Sequence, residues 1–287
     1  MFVTATQISS YLYCPRKLFL EYVLGFETPD SEALLLGRLT HTTHELMNEQ
    51  EEKLVKGLER LDSYVELLAK YRRIQAVILE QLLPQHRSAL RGFGLDLPST
   101  FDKIWPRIVW EGEERAQNVF QFHQEHQLLG EELWQKLTPK IVSEFRVQSQ
   151  DLQLKGIVDQ VKHFPDAIVP IELKTGKAPS EGIWEGHRLQ VGVYLALLRS
   201  QKLNVKEGFV KYLDASALRP VVWTPFLDKE VFKIRDKVLE LRNSTELPDF
   251  VENKNKCKSC TFQNQCYDAK FMDEKVNELK KVSSKIE

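Results

Sequence analysis

Apolar and polar positions near the N-terminus of the chain repeat with helical spacing. The pattern predicts two short helices within residues 4–26, with a break between them at Cys14-Pro15. Thr4 or Thr6 is a suitable N-cap for the first helix, because a hydroxyl can accept a hydrogen bond from the first turn. Pro15 suits the first turn of the second helix, where no backbone N–H is needed.

A longer helix is predicted to begin at Ser31, and helical spacing continues through residues 49–137. The stretch from Pro84 to Pro106 has a looser pattern and is predicted to interrupt that helical region. Charges of both signs are mixed along 49–137, so no basic stripe forms. We therefore expect a helical insertion that covers the core with a solvated surface, rather than a DNA-gripping arch or a partner-docking surface.

From Thr138 onward, short apolar runs predict strands interspersed with helices. The predicted strands are 141–147, 152–164, 167–174, 206–213 and 221–226, and the predicted helices are 184–199, 229–241 and 273–281. This order predicts an α/β or α+β fold, in which a mixed β-sheet is flanked by helices. The chain is predicted to divide into N-terminal helices 1–48, a helical insertion 49–137, a sheet core 138–245 and a C-terminal cysteine region 246–287.

The charge of the chain is nearly balanced. Its 287 residues include 40 Lys and Arg and 41 Asp and Glu, which gives a formal net charge of −1 at pH 7. No global positive field would attract a polyanion, so contact with nucleic acid requires a local basic patch. The uncharged stretch 2–15 is too short and too polar to span a bilayer or to form a signal core. We therefore expect a cytoplasmic protein without a membrane partner.

Three charged side chains on two predicted strands carry the main chemical signal. Asp159 follows Gly156 in one strand, while Glu172 and Lys174 flank Leu173 in the next. Residues two apart on a strand share a face, and hairpin pairing would bring Asp159 beside Glu172. Two such carboxylates can bind Mg²⁺ or Mn²⁺, and an adjacent lysine can stabilise charge that develops on a phosphate. A triplet of this kind also occurs on half-exposed sheet edges that have no catalytic role.

Polar residues on neighbouring predicted helices extend this signal. Gln190 and Tyr194 share one face of the helix that follows the second of these strands. His41 lies in the helix predicted from Ser31, and His44 lies one turn away. A neutral imidazole is a good ligand for Mn²⁺, although a solvated helix histidine is the commoner situation. The residues alone leave the choice between the two histidines open.

Cysteines occur near both ends of the chain. Cys257, Cys260 and Cys266 form a Cys-x2-Cys-x5-Cys cluster, and Cys14 is the remaining cysteine. Four thiolates suit either a 4Fe–4S cluster or tetrahedral zinc. Zinc ribbons more often use two Cys-x2-Cys pairs, so the one-plus-three division favours the iron–sulfur cluster. Inert buried thiols and disulfides are the less favoured alternatives.

These motifs together resemble one family. The chain resembles the RecB-like PD-(D/E)xK nucleases with a four-cysteine iron–sulfur cluster, and within them the CRISPR-associated exonucleases of the Cas-four type. The resemblance covers about residues 1–48 and 138–270. The motifs that carry it are Cys14-Pro15-Arg16-Lys17, Gly37-x3-His41-x3-Glu45, Gly156-x2-Asp159, Glu172-x-Lys174, Gln190-x3-Tyr194 and Cys257-x2-Cys260-x5-Cys266. The insertion is an enlargement relative to typical members.

The resemblance implies a restriction-endonuclease-like core and a role for each matching residue. The divalent metal would be bound by an imidazole, two carboxylates and a backbone carbonyl, from His41, Asp159, Glu172 and Leu173. Lys174 would be the catalytic lysine, and Gln190 and Tyr194 would orient it and the DNA strand. The 4Fe–4S cluster would be held by Cys14, Cys257, Cys260 and Cys266, and would staple the C-terminal region to the N-terminal helices.

The resemblance also implies a function and partners. The activity would be metal-dependent cleavage of DNA, mostly of single-stranded ends, that trims prespacers and helps to select their PAM end. The Cas-one/Cas-two integrase complex would then insert the product into the CRISPR array. The alternatives are a RecB-like repair nuclease outside CRISPR, a DNA-end or PAM-binding module with secondary cleavage, and a zinc-stapled structural protein. Basic residues near the predicted centre, among them Arg38 and Lys155, are candidates for phosphate contacts, and the sequence singles out none of them.

Overall fold

Six strands form one mixed sheet in the computed structural model, which describes residues 1–283. The strands are β1 (Val3–Thr4), β2 (Lys140–Ser149), β3 (Leu154–His163), β4 (Ile168–Lys174), β5 (Glu207–Tyr212) and β6 (Ala217–Val222). Strand β3 pairs antiparallel with β2 and β4 and parallel with β1. Strand β4 pairs parallel with β5, which pairs antiparallel with β6. The predicted mixed sheet is therefore confirmed.

Helices cover this sheet and fill the segment between β1 and β2. They are α1 (Ala5–Tyr13), α2 (Pro15–Tyr22), α3 (Glu32–Lys56), α4 (Tyr64–Gln85), α5 (Arg87–Gly92), α6 (Leu97–His126), α7 (Gly130–Lys136), α8 (Glu185–Ser200), α9 (Pro225–Asn243), α10 (Lys254–Lys258), α11 (Gln263–Tyr267) and α12 (Ala269–Ser283). A 3₁₀ turn, Leu213–Ala215, precedes β6. No helix within residues 1–283 is long and apolar enough to cross a membrane.

The N-terminal helices begin where the sequence predicts. The Thr4 hydroxyl accepts a hydrogen bond from Gln7 N, and the Gln7 side chain accepts one from Thr4 N, which forms a capping box. Pro15 occupies the first turn of α2. Ser31 caps α3 by accepting a hydrogen bond from Leu34 N at 3.3 Å. Local capping chemistry therefore fixes the start of all three helices.

Helix α8 forms the centre of the largest apolar core. All of its residues from Leu189 to Leu198 are buried, because the helix packs between the sheet and helices α1 and α9. Apolar side chains from β3 and β5, such as Val158 and Val210, contribute to the same core. The position of α8 is thus set on several sides, and with it the positions of its polar residues.

The insertion contains two further apolar cores. One surrounds Tyr71 and Val119, and the other joins Leu35 of α3 to Leu83 and Ile104. Helix α3 contributes to both cores and also packs against β2. The insertion is therefore anchored to the sheet core through a helix that the two share.

The predicted interruption between Pro84 and Pro106 is wrong, because most of this stretch is helical. Pro84 lies in the last turn of α4, α5 follows directly, and α6 already begins at Leu97. Asp96 accepts a hydrogen bond from Ser99 N at 2.7 Å and caps α6. Pro106 lies inside α6, where a lost backbone hydrogen bond is outweighed by burial of neighbours such as Ile108.

The predicted strand 221–226 is displaced. Strand β6 instead spans Ala217–Val222, and the Thr224 hydroxyl accepts a hydrogen bond from Leu227 N and begins α9 with Pro225 in its first turn. The remaining predicted elements from Thr138 onward match observed ones to within a few residues. The four-part division of the chain stays a prediction, and residues 284–287 of its last part lie outside the described residues.

Candidate active site

A cleft of about 440 Å³ opens between helix α3 and the sheet, where β3 and β4 run side by side. It is lined by every residue that the sequence predicts for the metal and catalytic site: His41, Asp159, Glu172, Leu173, Lys174, Gln190 and Tyr194. Residues far apart in sequence thus converge on one solvent-accessible space. Asp159 and Glu172 line the same cleft, as the hairpin pairing of their strands predicts.

Asp159 takes the place of a backbone acceptor in the sheet. The ladder between β3 and β4 ends at the pair Gln160–Ile171. One residue further, Oδ2 of Asp159 accepts the backbone N–H of Leu173 at 2.7 Å. This hydrogen bond fixes the carboxylate and leaves Oδ1 directed at His41, whose Nδ1 is 3.5 Å away.

Glu144 of β2 is a candidate metal ligand that the sequence analysis missed. It lies opposite Asp159, between the cross-strand pairs Ser143–Gln160 and Phe145–Val158, and its φ of 52° departs from extended backbone. Ligand atoms of His41, Glu144 and Asp159 all lie within 4.8 Å of one another. One nitrogen and two carboxylate oxygens form a donor set that suits Mn²⁺ or Mg²⁺.

Glu172 is held by three donors instead of joining that group. Its Oε1 accepts hydrogen bonds from Gln190 Nε2 at 2.6 Å and Lys174 Nζ at 2.8 Å. Its Oε2 accepts one from the Tyr194 hydroxyl at 2.8 Å. Lys174 also donates to Gln190 Oε1 at 3.0 Å. We call Asp159, Glu172, Lys174, Gln190 and Tyr194 the catalytic cluster.

Gly156 makes room for the tyrosine of this cluster. A Cβ atom built on Gly156 would lie only 2.8 Å from the Tyr194 ring. Any larger residue would therefore displace the ring and the hydroxyl that reaches Glu172. The sequence indicates a close approach at this glycine, and the approaching group proves to be an aromatic ring.

Burial and like charge shift the pKa values in the cleft. Burial lowers the pKa of His41 to about 4 despite the opposing charge of Glu172, so its imidazole is neutral at neutral pH. Burial, reinforced by Glu172, raises the pKa of Asp159 well above its usual range. Burial alone would lower the pKa of Lys174, but Glu172 and Asp159 outweigh it and raise that pKa. The cleft therefore combines a neutral imidazole with crowded carboxylates, which a divalent cation would stabilise.

His44, the alternative metal ligand, faces away from the cleft. It is buried at the junction with the insertion, where its Nδ1 lies 2.6 Å from Oε2 of Glu111 on α6. Arg115 donates to the other oxygen of Glu111 at 2.7 Å. We call this group of linked buried side chains the junction cluster, and its members are His44, Asn48, Glu51, Tyr71, Glu111, Arg115 and Gln160. Gln160 directly follows Asp159, so the junction cluster lies immediately behind the cleft.

The insertion also holds the loop that follows Lys174. Gly176, at φ +94°, donates its N–H to Oδ2 of Asp214 at 2.7 Å. Arg107 of α6 pairs with both oxygens of the same carboxylate. The mouth of the cleft is thus braced from the insertion, a role that the mixed-charge surface of residues 49–137 did not reveal.

The four cysteines lie together, as predicted, although they come from opposite ends of the chain. Cys14, Cys257, Cys260 and Cys266 line one cavity, and all four are free thiols. Arg16 donates from Nε to Cys266 Sγ at 3.1 Å, the kind of hydrogen bond that stabilises a thiolate ligand. This donor set fits a metal bound by four thiolates. Four thiolates are the donors of a 4Fe–4S cluster and of tetrahedral zinc. Within residues 1–283, no three of these sulfur atoms lie within 4.8 Å of one another, as the ligands of one zinc ion do. The iron–sulfur assignment stays a prediction.

Similarity to known proteins agrees with this geometry. The family model for the PD-(D/E)XK nuclease superfamily matches residues 3–267. A CRISPR-associated exonuclease Cas4/endonuclease Cas1 fusion from Leptospira interrogans is 29% identical over 130 residues, which are 44% of this chain and 24% of that protein. The DNA replication ATP-dependent helicase/nuclease DNA2 of Gallus gallus is 23% identical over 290 residues, which cover 93% of this chain and 28% of that protein.

One solved structure is similar in outline. It is that of a proposed exonuclease from Eubacterium rectale, with 12% sequence identity and a TM-score of 0.45 over 90% of this chain and 87% of that one.

The match over residues 3–267 shows that the chain belongs to the PD-(D/E)XK nuclease superfamily. The expected membership is thereby confirmed, and the similarity to the Cas4/Cas1 fusion agrees with the narrower resemblance to the Cas-four type. The chain spans about a quarter of the length of the curated relatives it matches.

Proposed function

We propose that this chain is a metal-dependent DNA exonuclease of the Cas4 type, which trims the ends of prespacer DNA before integration into a CRISPR array. The observation that carries the proposal is the convergence of His41, Glu144, Asp159, Glu172 and Lys174 on one cleft. The similarity to a Cas4/Cas1 fusion supports both the CRISPR role and association with a Cas1-containing integrase.

The residues of the cleft suit hydrolysis of a phosphodiester. A bound Mg²⁺ or Mn²⁺ would neutralise charge on the scissile phosphate and acidify a water molecule. His41, Asp159 and Glu144 would hold the cation, with Asp159 fixed in place by the N–H of Leu173. The water oxygen forms a bond to phosphorus, the bond to the leaving oxygen breaks, and that oxygen takes up a proton.

Lys174 would stabilise the negative charge that develops on the phosphate. The nearby carboxylates raise its pKa, so the side chain remains a cation at neutral pH. Glu172 and Gln190 hold its Nζ from two sides. Tyr194 in turn fixes Glu172, so the lysine is positioned before a substrate binds.

Cleavage of end-labelled single-stranded DNA with Mn²⁺ tests the catalytic assignment. The wild-type protein should degrade the strand, and EDTA should abolish the reaction. Lys174→Ala should reduce the rate by roughly 10²–10³-fold, as removal of one charge-stabilising group does. The matched control is Lys177→Ala, which removes an exposed lysine just beyond the cleft and should leave the rate unchanged. Equal cleavage by Lys174→Ala and wild type would refute the assignment.

A repair nuclease outside CRISPR is the second candidate. It is favoured by one observation: similarity to the helicase/nuclease DNA2 covers 93% of this chain, including the insertion. Purification from cells that also produce a Cas1–Cas2 integrase separates the two functions. Copurification and trimming of prespacers to the integrated length would support the CRISPR role. Cleavage without either would support the repair role.

A further inference from the structure

A groove of about 780 Å³ adjoins the catalytic cleft along strands β2 and β3. Thr6 and Ile157 line both the groove and the cleft, so the two form one continuous depression. The groove residues used below come from β1, α2, β2 and β3, and they are Thr4, Tyr22, Arg146, Gln148, Lys155 and Ile157. We call the groove, without the cleft, the strand groove.

The floor of the strand groove follows the register of the sheet. Two residues beyond Glu144 on β2, Arg146 lies opposite Ile157 of β3. Two residues further along β2, Gln148 lies opposite Lys155. Thr4 of β1 flanks Lys155 on its other side. Successive steps along one face of a strand are about 6.6–6.8 Å apart. The groove therefore presents a row of polar and cationic groups that leads directly to Glu144 and Asp159.

The charge of the strand groove is positive. Arg146 and Lys155 are both exposed, and neither forms an ion pair with any residue of the described chain. Its lining within residues 1–283 contains no carboxylate. Buried arginines elsewhere, such as Arg115, are satisfied by carboxylates of the protein itself. The charge of Arg146 acts on Glu144 of the cleft, but neither groove cation lies within ion-pair distance of a carboxylate among residues 1–283. Both are therefore available to phosphate groups, the anions that the adjoining cleft would process.

Tyr22 adds a flat surface to one wall of the groove. Its side chain lies at the end of α2 and is 48% exposed, in a lining that holds no other aromatic residue within residues 1–283. Aromatic rings at such positions stack on unpaired bases of single-stranded nucleic acid. The bases of a duplex are already stacked on one another and do not offer their faces. The combination of one exposed ring with cations in a row therefore favours a single strand.

We propose that the strand groove binds three or so nucleotides of a single DNA strand and guides its phosphates to the metal ligands. Arg146 and Lys155 would contact phosphates, and Tyr22 would stack on a base. This inference rests on the proposed function, because the cleft supplies the reason for a strand to lie there. It adds to that function the path of the strand and the residues that hold it.

Fluorescence anisotropy tests whether the strand groove binds DNA. The probe is a fluorescein-labelled oligothymidylate of twelve nucleotides, in buffer without divalent cations. The double variant Arg146→Gln/Lys155→Gln should bind roughly tenfold more weakly, with a salt slope smaller by about 0.7 for each lost phosphate contact. Tyr22→Ala should weaken binding by roughly tenfold, while Tyr22→Phe should bind as wild type does. The matched control is Lys70→Gln/Arg73→Gln, which removes two exposed cations from α4 and should change neither affinity nor slope.

Kinetics with Mn²⁺ distinguish failure of the groove from failure of the catalytic proposal. The groove variants should raise KM for the oligonucleotide and leave kcat unchanged, since they contact nothing in the catalytic cluster. If wild-type protein binds the oligonucleotide but does not cleave it, the proposed function is refuted, whereas the proposal for the strand groove is still supported. The proposal that the strand groove binds a single strand would be refuted if the groove variants bound the oligonucleotide as tightly as the control variant does. It would also be refuted if the wild-type protein preferred a blunt duplex of equal length.

Discussion

The junction cluster and the catalytic cluster are both buried groups of charge beside helix α3, but their carboxylates are satisfied differently. In the junction cluster, Glu111 is paired with Arg115 and His44, which lower its pKa well below the usual range although burial alone would raise it. In the catalytic cluster, burial raises the pKa of Asp159, and the charge of Glu172 reinforces this rise although Lys174 opposes it. The carboxylates of the junction cluster are thus neutralised by cations of the protein itself, whereas those of the catalytic cluster are not fully neutralised. The difference separates a structural ion pair from a cation-binding site.

The largest expected effect follows from removing the cation of the junction cluster. Arg115→Ala would leave Glu51 and Glu111 buried without their partner and should lower the free energy of unfolding by about 3–5 kcal/mol. Urea denaturation followed by circular dichroism measures this loss. The control is Arg72→Ala, because Arg72 of α4 forms only an exposed ion pair with Glu113 of α6, and its loss should cost at most about 1 kcal/mol. Equal losses in the two variants would contradict the distinction.

The opposite behaviour is expected in the catalytic cluster. Asp159→Asn removes a carboxyl group whose ionised form is disfavoured in the folded protein. The asparagine keeps a side-chain oxygen that can accept the N–H of Leu173. The metal-free variant should therefore be at least as stable as wild type, while cleavage falls by roughly 10²-fold or more. Mn²⁺ at about one hundred times its Kd should stabilise wild type by about 2.7 kcal/mol and the variant by much less. A loss of stability comparable to that of Arg115→Ala would show that the two clusters do not differ as described.

The smallest expected effect is a pH dependence of opposite sign in the two clusters. Glu111 has a depressed pKa, so its contribution to stability is present above about pH 4.5 and is lost as the pH falls through its folded-state value. Asp159 has a raised pKa, so its protonation favours the folded protein as the pH falls toward about 4. Urea midpoints of metal-free protein measured from pH 8 down to about pH 3 report both effects. The loss of stability at the acid end should be smaller in Glu111→Gln, and the gain in stability as the pH falls from 8 toward 4 should vanish in Asp159→Asn.

Much of the fold could be predicted because its signals are local. Thr4, Pro15 and Ser31 mark helix starts through side-chain chemistry that acts within one turn. The alternation around Asp159 and Glu172 marks two strands, and their hairpin pairing places the acids side by side. Pro106 led to a wrong prediction of an interrupted helix. A proline inside a helix costs a backbone hydrogen bond, and here packing against distant residues keeps α6 continuous through it. Strands as short as β1 leave too few positions for any pattern to be visible.

The missed parts of the site depend on contacts between segments that are far apart in sequence. Glu144 stands in a correctly predicted strand, but only the register of β2 on β3 places it opposite Asp159. His44 resembles His41 in sequence, and only the position of Glu111 on α6 shows which of the two faces the insertion. Register and the docking of an insertion are tertiary facts that no single segment encodes.

Helix α3 has a mechanical consequence for the enzyme. Its 25 residues run without a break from Glu32 to Lys56, over a length of about 37 Å, and they carry both the candidate metal ligand His41 and Glu51 of the junction cluster. Because α3 packs in both apolar cores of the insertion, we expect a displacement of the insertion to move His41 as well. Binding of a cation by His41 would then depend partly on residues that never approach it.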